Sequence, residues 1–162
     1  MTIVVYKSVT GNTKRYAEMI AAELNGDCID LKEASKRKLQ SYDQVIYGGP
    51  VHAGRLAGLK KAKRLAKGKR LIVFACGGDI GRESEVEKVR GSSVKAGDAF
   101  SFYYLPGGLD ISKLTGFLKF MMDTMYKMMS KKKNKTEDDI AFLKGFEEPT
   151  DFVDATHITE LI

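Results

Sequence analysis

The first two dozen residues join an apolar segment, a hydroxyl-rich turn and a helical pattern, and this order restricts the fold more than any other feature. Residues 2–6 (Thr-Ile-Val-Val-Tyr) are mostly β-branched and apolar, which favours a buried strand. The turn at residues 8–13 is Ser-Val-Thr-Gly-Asn-Thr, and apolar residues then recur at helical spacing to Leu24. A helix that begins directly after such a turn offers unpaired N–H groups and a partial positive charge. The sequence therefore predicts a strand, a phosphate-binding turn and a helix.

The spacing within this turn excludes two common phosphate-binding motifs. No Lys follows Gly11 in the register of nucleoside triphosphatases, and the three-glycine motif of dinucleotide-binding proteins is absent. The pattern Ser/Thr-x-Thr-Gly-x-Thr resembles the phosphate loop of flavodoxins, which binds the monophosphate of FMN. The resemblance implies phosphate-binding roles for five residues, namely Ser8, Thr10, Gly11, Asn12 and Thr13. The alternative is a plain turn in which Thr13 caps the helix.

Further apolar segments alternate with helical patterns along the chain. We expect strands at residues 27–31, 44–47, 71–75 and 99–105, and helices at residues 59–65, 83–89 and 154–162. Because the strands lack polar–apolar alternation and are separated by helices, they indicate a parallel sheet that is buried on both faces. The expected fold is a flavodoxin-like, doubly wound, five-stranded α/β sheet in the order 2-1-3-4-5. We expect residues 1–162 to form one domain with a helical insertion at about residues 110–150.

Ligands of such sheets bind beyond the carboxyl ends of the strands, and glycine-rich segments follow the third and fourth predicted strands. The resemblance to flavodoxins implies that the first segment lies beside the dimethylbenzene and N5 edges of the flavin. Its residues are Pro50, Val51, His52, Ala53 and Gly54. The second segment is implied to donate backbone N–H groups to the pyrimidine carbonyls, which favours negative charge on the reduced flavin. Its residues are Cys76, Gly77, Gly78 and Asp79.

Few residues near this expected site can take part in chemistry. His52 is the candidate catalytic residue, as a proton shuttle or as a group beside the flavin ring; the alternative is an ordinary exposed loop histidine. Cys76 lies at a strand end near the expected ring, but without CxxC spacing an inert buried thiol is favoured over a redox role. Cys28 and Cys76 are the only cysteines. We expect neither a disulfide framework nor a metal site from them.

The insertion contains a methionine-rich helical pattern. Its apolar residues form one stripe at three- and four-residue spacing: Leu114, Phe117, Leu118, Met121, Met122, Met125, Met128 and Met129. Methionine suits irregular or exchangeable partners. Two interpretations are open, namely packing on the protein's own core and contact with a membrane surface, a partner protein or an apolar substrate. After the stripe, Thr136 predicts the N-cap of a brief helix that reaches Leu143 and ends at Gly145.

The 162 residues carry a net charge of +6, and Lys and Arg gather at residues 36–38, 60–70 and 131–135. These clusters are either solvated faces or surfaces that attract an acidic protein, anionic lipid or a carboxylate-bearing substrate. No recognition motif supports binding to nucleic acid. No apolar stretch approaches the ~20 residues of a membrane-spanning helix, and the first residues lack a signal-peptide pattern. We expect a cytoplasmic location, with peripheral contact between residues 114–135 and the inner face of the membrane as an option.

The methionine-rich helix and the polar segment after it resemble, more specifically, the oxygen-independent, menaquinone-dependent protoporphyrinogen IX dehydrogenases. These are flavodoxin-like FMN enzymes that work at the membrane. The resemblance implies an oxidoreductase that passes two hydrogens from an apolar, carboxylate-bearing tetrapyrrole to FMN and on to a quinone. The alternative is a soluble flavodoxin-type electron carrier with redox proteins as its only partners. Two features depart from carrier flavodoxins: residues 49–54 include no Trp or Tyr to cover the flavin, and the net charge is positive.

Overall fold

The computed structural model describes residues 1–162 and contains six strands and five α-helices. The strands are β1 (Thr2–Tyr6), β2 (Asp27–Asp30), β3 (Gln44–His52), β4 (Arg55–Leu56), β5 (Arg70–Gly77) and β6 (Phe100–Pro106). The helices are α1 (Asn12–Glu23), α2 (Leu59–Leu65), α3 (Glu83–Ser93), α4 (Gly116–Ser130) and α5 (Glu137–Glu147). Two short 3-10 turns lie at Ile111–Lys113 and Ala155–Ile158. None of the helices combines the length and the apolar character that crossing a membrane requires.

Five strands form the parallel sheet that the sequence predicts, in the order β2-β1-β3-β5-β6. This is the predicted order 2-1-3-4-5, because β5 and β6 are the fourth and fifth strands of the parallel set. β4 is an additional strand that pairs antiparallel with the end of β3. The topology reverses between β1 and β3, so the carboxyl ends of these two strands mark the edge where a ligand is expected.

Each face of the sheet carries its own apolar core. Neighbouring strand residues point to opposite faces, so Val5 joins the core beneath α2 and α3 while Val4 joins the core beneath α1. Both residues are almost fully buried, which explains why the strand segments are apolar throughout. Ile158 and Leu161 also belong to the core beneath α1, so the end of the chain is anchored on that face.

Tertiary contacts extend two elements beyond their predicted ends. β3 continues past Tyr47 to His52 because residues 48–50 pair with β5 and the last two residues pair with β4. α3 continues past Val89 to Ser93, whose buried hydroxyl accepts a hydrogen bond from the Leu56 N–H at 3.2 Å. Both extensions depend on pairing between segments that are distant in sequence, which local patterns do not reveal.

Two predicted helices also differ from the structure. α5 begins as predicted, with Thr136 as N-cap, but continues past Gly145 because Phe146 stacks on Tyr126 of α4 at 4.3 Å. The predicted helix over residues 154–162 is wrong, since only the 3-10 turn at Ala155–Ile158 forms. Nine residues are too few for an isolated α-helix to be stable.

Residues 110–149, the segment expected to be an insertion, lie between two residues that are in contact. The Thr150 N–H donates to the Leu109 carbonyl at 2.9 Å, and the Leu109 N–H donates to the Thr150 hydroxyl at 2.9 Å. Within the insertion, α4 packs mainly on α5. No residue of α4 is buried, and neither apolar core contains a residue of α4 or α5. Packing on the protein's own core, one of the two interpretations of the methionine stripe, is therefore wrong.

Candidate functional site

A cavity of about 260 Å³ lies beyond the carboxyl ends of β1, β3 and β5. Its wall combines the turn before α1, the end of β3 and the turn after β5, which are the three segments selected from the sequence. Ten predicted site residues line it: Thr10, Asn12, Thr13, Pro50, Val51, His52, Ala53, Cys76, Gly77 and Gly78. Ser8, Gly11, Gly54 and Asp79 belong to the same segments but do not line this cavity.

The turn before α1 leaves the first backbone donors of the helix free. Gly11 is the N-cap residue, with φ of 99°, and no side chain caps the helix. Its N–H donates to the Ser8 hydroxyl at 3.1 Å, so Ser8 shapes the turn. The N–H groups of residues 12–14 lie in the first helical turn, where an α-helix supplies no acceptor. These three backbone donors suit an oxyanion. Thr13 lies inside the helix, so the alternative in which it is the cap is wrong.

Asn12 is buried and its side chain has a structural contact. The side-chain amide donates to the Gly107 carbonyl at 2.6 Å, which ties the turn before α1 to the turn after β6. Gly107 has little space around it, since an added Cβ would lie 2.5 Å from Cys76 Sγ. One N–H of the Asn12 amide is therefore committed to the protein, and the backbone N–H of Asn12 is available to a ligand.

The segment after β3 is a β-hairpin and not an open loop. His52 pairs with Arg55, and the two residues between them have positive φ, 49° at Ala53 and 73° at Gly54. Positive φ at both central positions is characteristic of the type I′ turn, whose twist matches that of paired strands. The hairpin therefore holds Pro50, Val51 and His52 in a fixed position beside the cavity.

His52 is half buried at the end of β3 and lines the cavity. Burial lowers the pKa of the imidazole below its usual value, and the nearby charge of Lys7 lowers it further. A lowered pKa keeps the ring neutral at pH 7, with one nitrogen able to donate and the other to accept a hydrogen bond. The only other ionisable side chain in the cavity wall is the Cys76 thiol.

The turn after β5 combines a buried thiol with two glycines. Burial raises the pKa of the Cys76 thiol to about 11, while the Thr13 hydroxyl and Arg15 act weakly in the opposite direction. Such a thiol is not ionised near neutral pH, which agrees with the interpretation of Cys76 as inert. An added Cβ at Gly77 would lie 2.0 Å from the Tyr104 hydroxyl, whereas Gly78 has no atom closer than 3.6 Å. Gly78 therefore presents open backbone to the cavity.

Asp79 organises the turn after β5 and does not face the cavity. Its carboxylate accepts hydrogen bonds from the Gly81 and Arg82 N–H groups at 3.0 and 2.8 Å, and it pairs with the Arg82 guanidinium at 2.7 Å. Burial alone would raise the pKa of Asp79, but the contacts with Arg82 and Gly81 hold it below its usual value. Arg82 also reaches Asp138 of α5 at 3.3 Å, which links this turn to the insertion.

One wall of the cavity consists of residues that the sequence does not identify as site residues. The additional lining residues are Val9, Gly108, Leu109, Leu114, Leu118, Met121, Met122 and Met125. The spacing of the stripe shows that the last five share a helical face, but it does not show which surface that face meets. Phe117 and Met128 of the same stripe are 72% and 70% exposed. The apolar surface of α4 therefore has a cavity side and an adjacent outer side.

The charged clusters of the chain lie outside the cavity, whose wall holds no Lys, Arg, Asp or Glu. A larger cavity of about 680 Å³ adjoins it, and the two share Val51, Ala53, Gly78 and Leu109. Its charged lining residues are Arg82, Lys144, Asp79, Glu85, Asp138 and Glu148, and its aromatic ones are Phe142 and Phe152. The net positive charge of the protein is therefore not concentrated at either cavity.

A family model described as a flavodoxin domain matches residues 3–137. No curated protein matches the sequence at a significant level. Similar solved structures include a flavodoxin from the domain Archaea, with 24% identity, a TM-score of 0.43 and coverage of 64% of this chain and 83% of that one. The flavodoxin WrbA-like protein from Agrobacterium tumefaciens has 17% identity, a TM-score of 0.47 and coverage of 69% and 86%. The two-electron reduced flavodoxin of Megasphaera elsdenii has 18% identity, a TM-score of 0.45 and coverage of 64% and 82%.

Proposed function

This chain belongs to the flavodoxin domain family, and on that premise we propose that it is an oxidoreductase that holds one FMN noncovalently in the smaller cavity. The observation that carries the proposal is the meeting of an uncapped helix N-terminus and glycine-bearing strand ends at one apolar cavity. FMN supplies the redox chemistry when bound, while the residues of the chain bind and orient it.

The residues of the cavity wall fit the parts of FMN in turn. The free N–H groups of residues 12–14 and the hydroxyls of Thr10 and Thr13 suit the phosphate. Ser8 and Gly11 hold the turn in shape through their mutual hydrogen bond. The open backbone at Gly78 lets the chain approach a flat ring closely.

His52 is the residue that we propose to hold and move a proton beside the flavin. It is neutral at pH 7 because of its lowered pKa, and it lines the cavity from the end of β3. A neutral imidazole both accepts and donates a proton near neutral pH, which suits the exchange of protons that accompanies two-electron transfer.

The finer proposal is an enzyme of the protoporphyrinogen dehydrogenase type that passes electrons to a quinone. The larger cavity adjoins the smaller one and has the aromatic residues Phe142 and Phe152 in its wall, which suits a flat apolar molecule. Its wall carries more carboxylates than cations, so an uncharged quinone fits it directly. The carboxylates of a tetrapyrrole have to point away from these acidic residues, towards solvent or Lys144.

Peripheral contact with the inner face of a membrane is part of the same proposal. The outer side of α4 exposes Phe117, Phe120 and Met128. Lys131 and Lys133 follow the helix and are exposed, whereas Lys132 is paired with Asp139. Apolar residues beside unpaired lysines suit a bilayer that contains anionic lipid.

A soluble electron carrier with redox proteins as its only partners is the second candidate, because the exposed outer side of α4 suits a protein partner equally. The visible absorbance of the purified protein, followed by anaerobic reduction with candidate donors, tests both. Reduction by protoporphyrinogen and reoxidation by a quinone are expected for the enzyme. Turnover with redox proteins alone identifies the carrier. A chain that binds no FMN overturns both candidates.

A further inference from the structure

We infer that α4 forms a wall of the flavin site and covers a face of the isoalloxazine ring with methionine and leucine side chains. The inference rests on the proposed FMN site, and it names residues of that site that lie in the insertion. In this arrangement the side chains of Leu118, Met121, Met122 and Met125 take the place of an aromatic residue on the β3–β4 hairpin.

Elements other than α4 offer few sizeable side chains to the cavity. The hairpin, residues 49–56, contains no Phe, Tyr or Trp, and only Val51 and His52 offer sizeable side chains to the cavity. The turns after β5 and β6 contribute Gly77, Gly78 and Gly108, which have none, and Leu109. α4 contributes four of the ten hydrophobic lining residues, more than any other element.

The cavity side of α4 lacks a protein partner. α4 packs on α5 through Tyr126 and on neither core. Met121 and Met125 remain 37% and 38% exposed although they line a cavity. Contact between water and the apolar surface of these two methionines is unfavourable. A flat apolar ring in the cavity would displace this water. Thioether sulfur also interacts favourably with aromatic rings.

One cavity of about 260 Å³ joins the phosphate-binding turn to α4. Its wall includes Thr10 and Thr13 of the turn and the cavity side of α4. A ligand whose phosphate is bound at the turn therefore extends towards α4 within the same cavity. The group that meets α4 is then the flavin, and a substrate approaches from the larger cavity.

A pair of matched double variants on the same helix tests this inference. Met121→Gln with Met125→Gln changes the cavity side, and Phe117→Gln with Met128→Gln changes the outer side as the control. Glutamine is similar to methionine in length and in helix propensity, so α4 is retained, which far-ultraviolet circular dichroism checks. We expect the cavity-side variant to raise the dissociation constant for FMN by about tenfold, and the outer-side variant to leave it within about twofold.

Riboflavin, which lacks the phosphate, identifies the part of the ligand that α4 contacts. We expect the cavity-side variant to weaken riboflavin and FMN binding by the same factor, because α4 meets the ring. Thr10→Ala with Thr13→Ala should weaken FMN binding much more than riboflavin binding. An unchanged dissociation constant for FMN in the cavity-side variant overturns the inference. This holds also if the KM of that variant for an electron acceptor changes. If the native chain binds no flavin, the proposed function itself fails.

Discussion

At the scale of single residues, Asn12 shows how a motif residue supports the site through a contact within the protein. Its amide is buried and donates to the Gly107 carbonyl, so it joins two turns of the site. We expect Asn12→Ala to lower the free energy of unfolding by about 1–3 kcal/mol, because it leaves the buried Gly107 carbonyl with only the longer hydrogen bond from the Phe152 N–H at 3.4 Å. Urea unfolding measures the change. Lys14→Ala, which removes only a surface ion pair with Glu18, is the control. Equal unfolding curves for the two variants would contradict the structural role of the Asn12 amide.

The hydroxyls of Thr10 and Thr13 are the side-chain groups that we expect to bind the phosphate. Each hydrogen bond to a charged group contributes about 1.5–3 kcal/mol. Thr10→Ala with Thr13→Ala should therefore weaken FMN binding by roughly two orders of magnitude or more. Fluorescence titration of the apoprotein with FMN measures this effect. An unchanged affinity shows that the phosphate lies elsewhere.

His52 gives a prediction for pH dependence. Its pKa in the folded protein is below the usual value, so the unfolded chain binds more protons than the folded protein in the window below about pH 6.5. The neutral ring therefore contributes stability above that pH, and the contribution is lost as the pH falls through the folded pKa. We expect the native protein to lose stability relative to His52→Gln between pH 7 and pH 5. Thermal unfolding across this range tests the sign, and a constant difference between the two proteins would refute it.

At the scale of elements, the β3–β4 hairpin contains a residue that is poorly suited to its turn. Ala53 has a positive φ of 49°, which disfavours residues with a Cβ and favours Asn or Gly in a type I′ turn. We expect Ala53→Asn to raise the stability of the apoprotein by about 0.5–1 kcal/mol, and Ala53→Val to lower it. Thermal unfolding of both variants is the measurement. If valine is tolerated as well as asparagine, the turn is not under this constraint.

The elements also show where sequence patterns suffice. β1 and α1 follow from local patterns, because an apolar run, a glycine turn and helical spacing each act within a few residues. The meeting of three segments at one cavity follows from the general rule for parallel sheets, so most of that site is predictable. The wall that α4 forms is not predictable, because residue spacing identifies the apolar face of a helix but not the surface that this face meets. The continuation of β3 past Tyr47 and that of α5 past Gly145 are not predictable for the same reason, since both depend on residues distant in sequence, in β5 and in α4.

At the scale of the whole molecule, the charge and the site are separated. The cavity that we assign to FMN has no charged side chain in its wall, and the lysines at residues 131–135 lie between α4 and α5, outside both cavities. Lys7, also outside the wall, lowers the pKa of His52. We expect the lysine clusters to act instead on encounter with an anionic surface, and their effect to fall as salt shortens the screening length.

The insertion as a whole is what distinguishes the enzyme from the carrier, and its two joined ends make it removable. The bond from the Thr150 N–H to the Leu109 carbonyl is of the kind that closes a β-turn, so an Asn-Gly link in place of residues 110–149 spans the gap. We expect this variant to fold, because neither core contains a residue of α4 or α5. It should bind FMN more weakly than the native chain. Loss of the cooperative unfolding transition would show that the insertion stabilises the rest of the protein.

The same variant locates the proposed membrane contact. We expect the intact protein to bind vesicles that contain anionic lipid and to leave them as salt rises to about 1 M, where the screening length is only about 3 Å. The variant without the insertion should not bind, and Phe117→Gln with Met128→Gln should bind weakly, because apolar insertion and lysine attraction act together at a bilayer surface. Co-sedimentation with anionic and with neutral vesicles measures both effects. Vesicle binding that persists without the insertion would place the membrane contact at the basic cluster of residues 60–70. The outer side of α4 would then be available to a protein partner, as expected for an electron carrier.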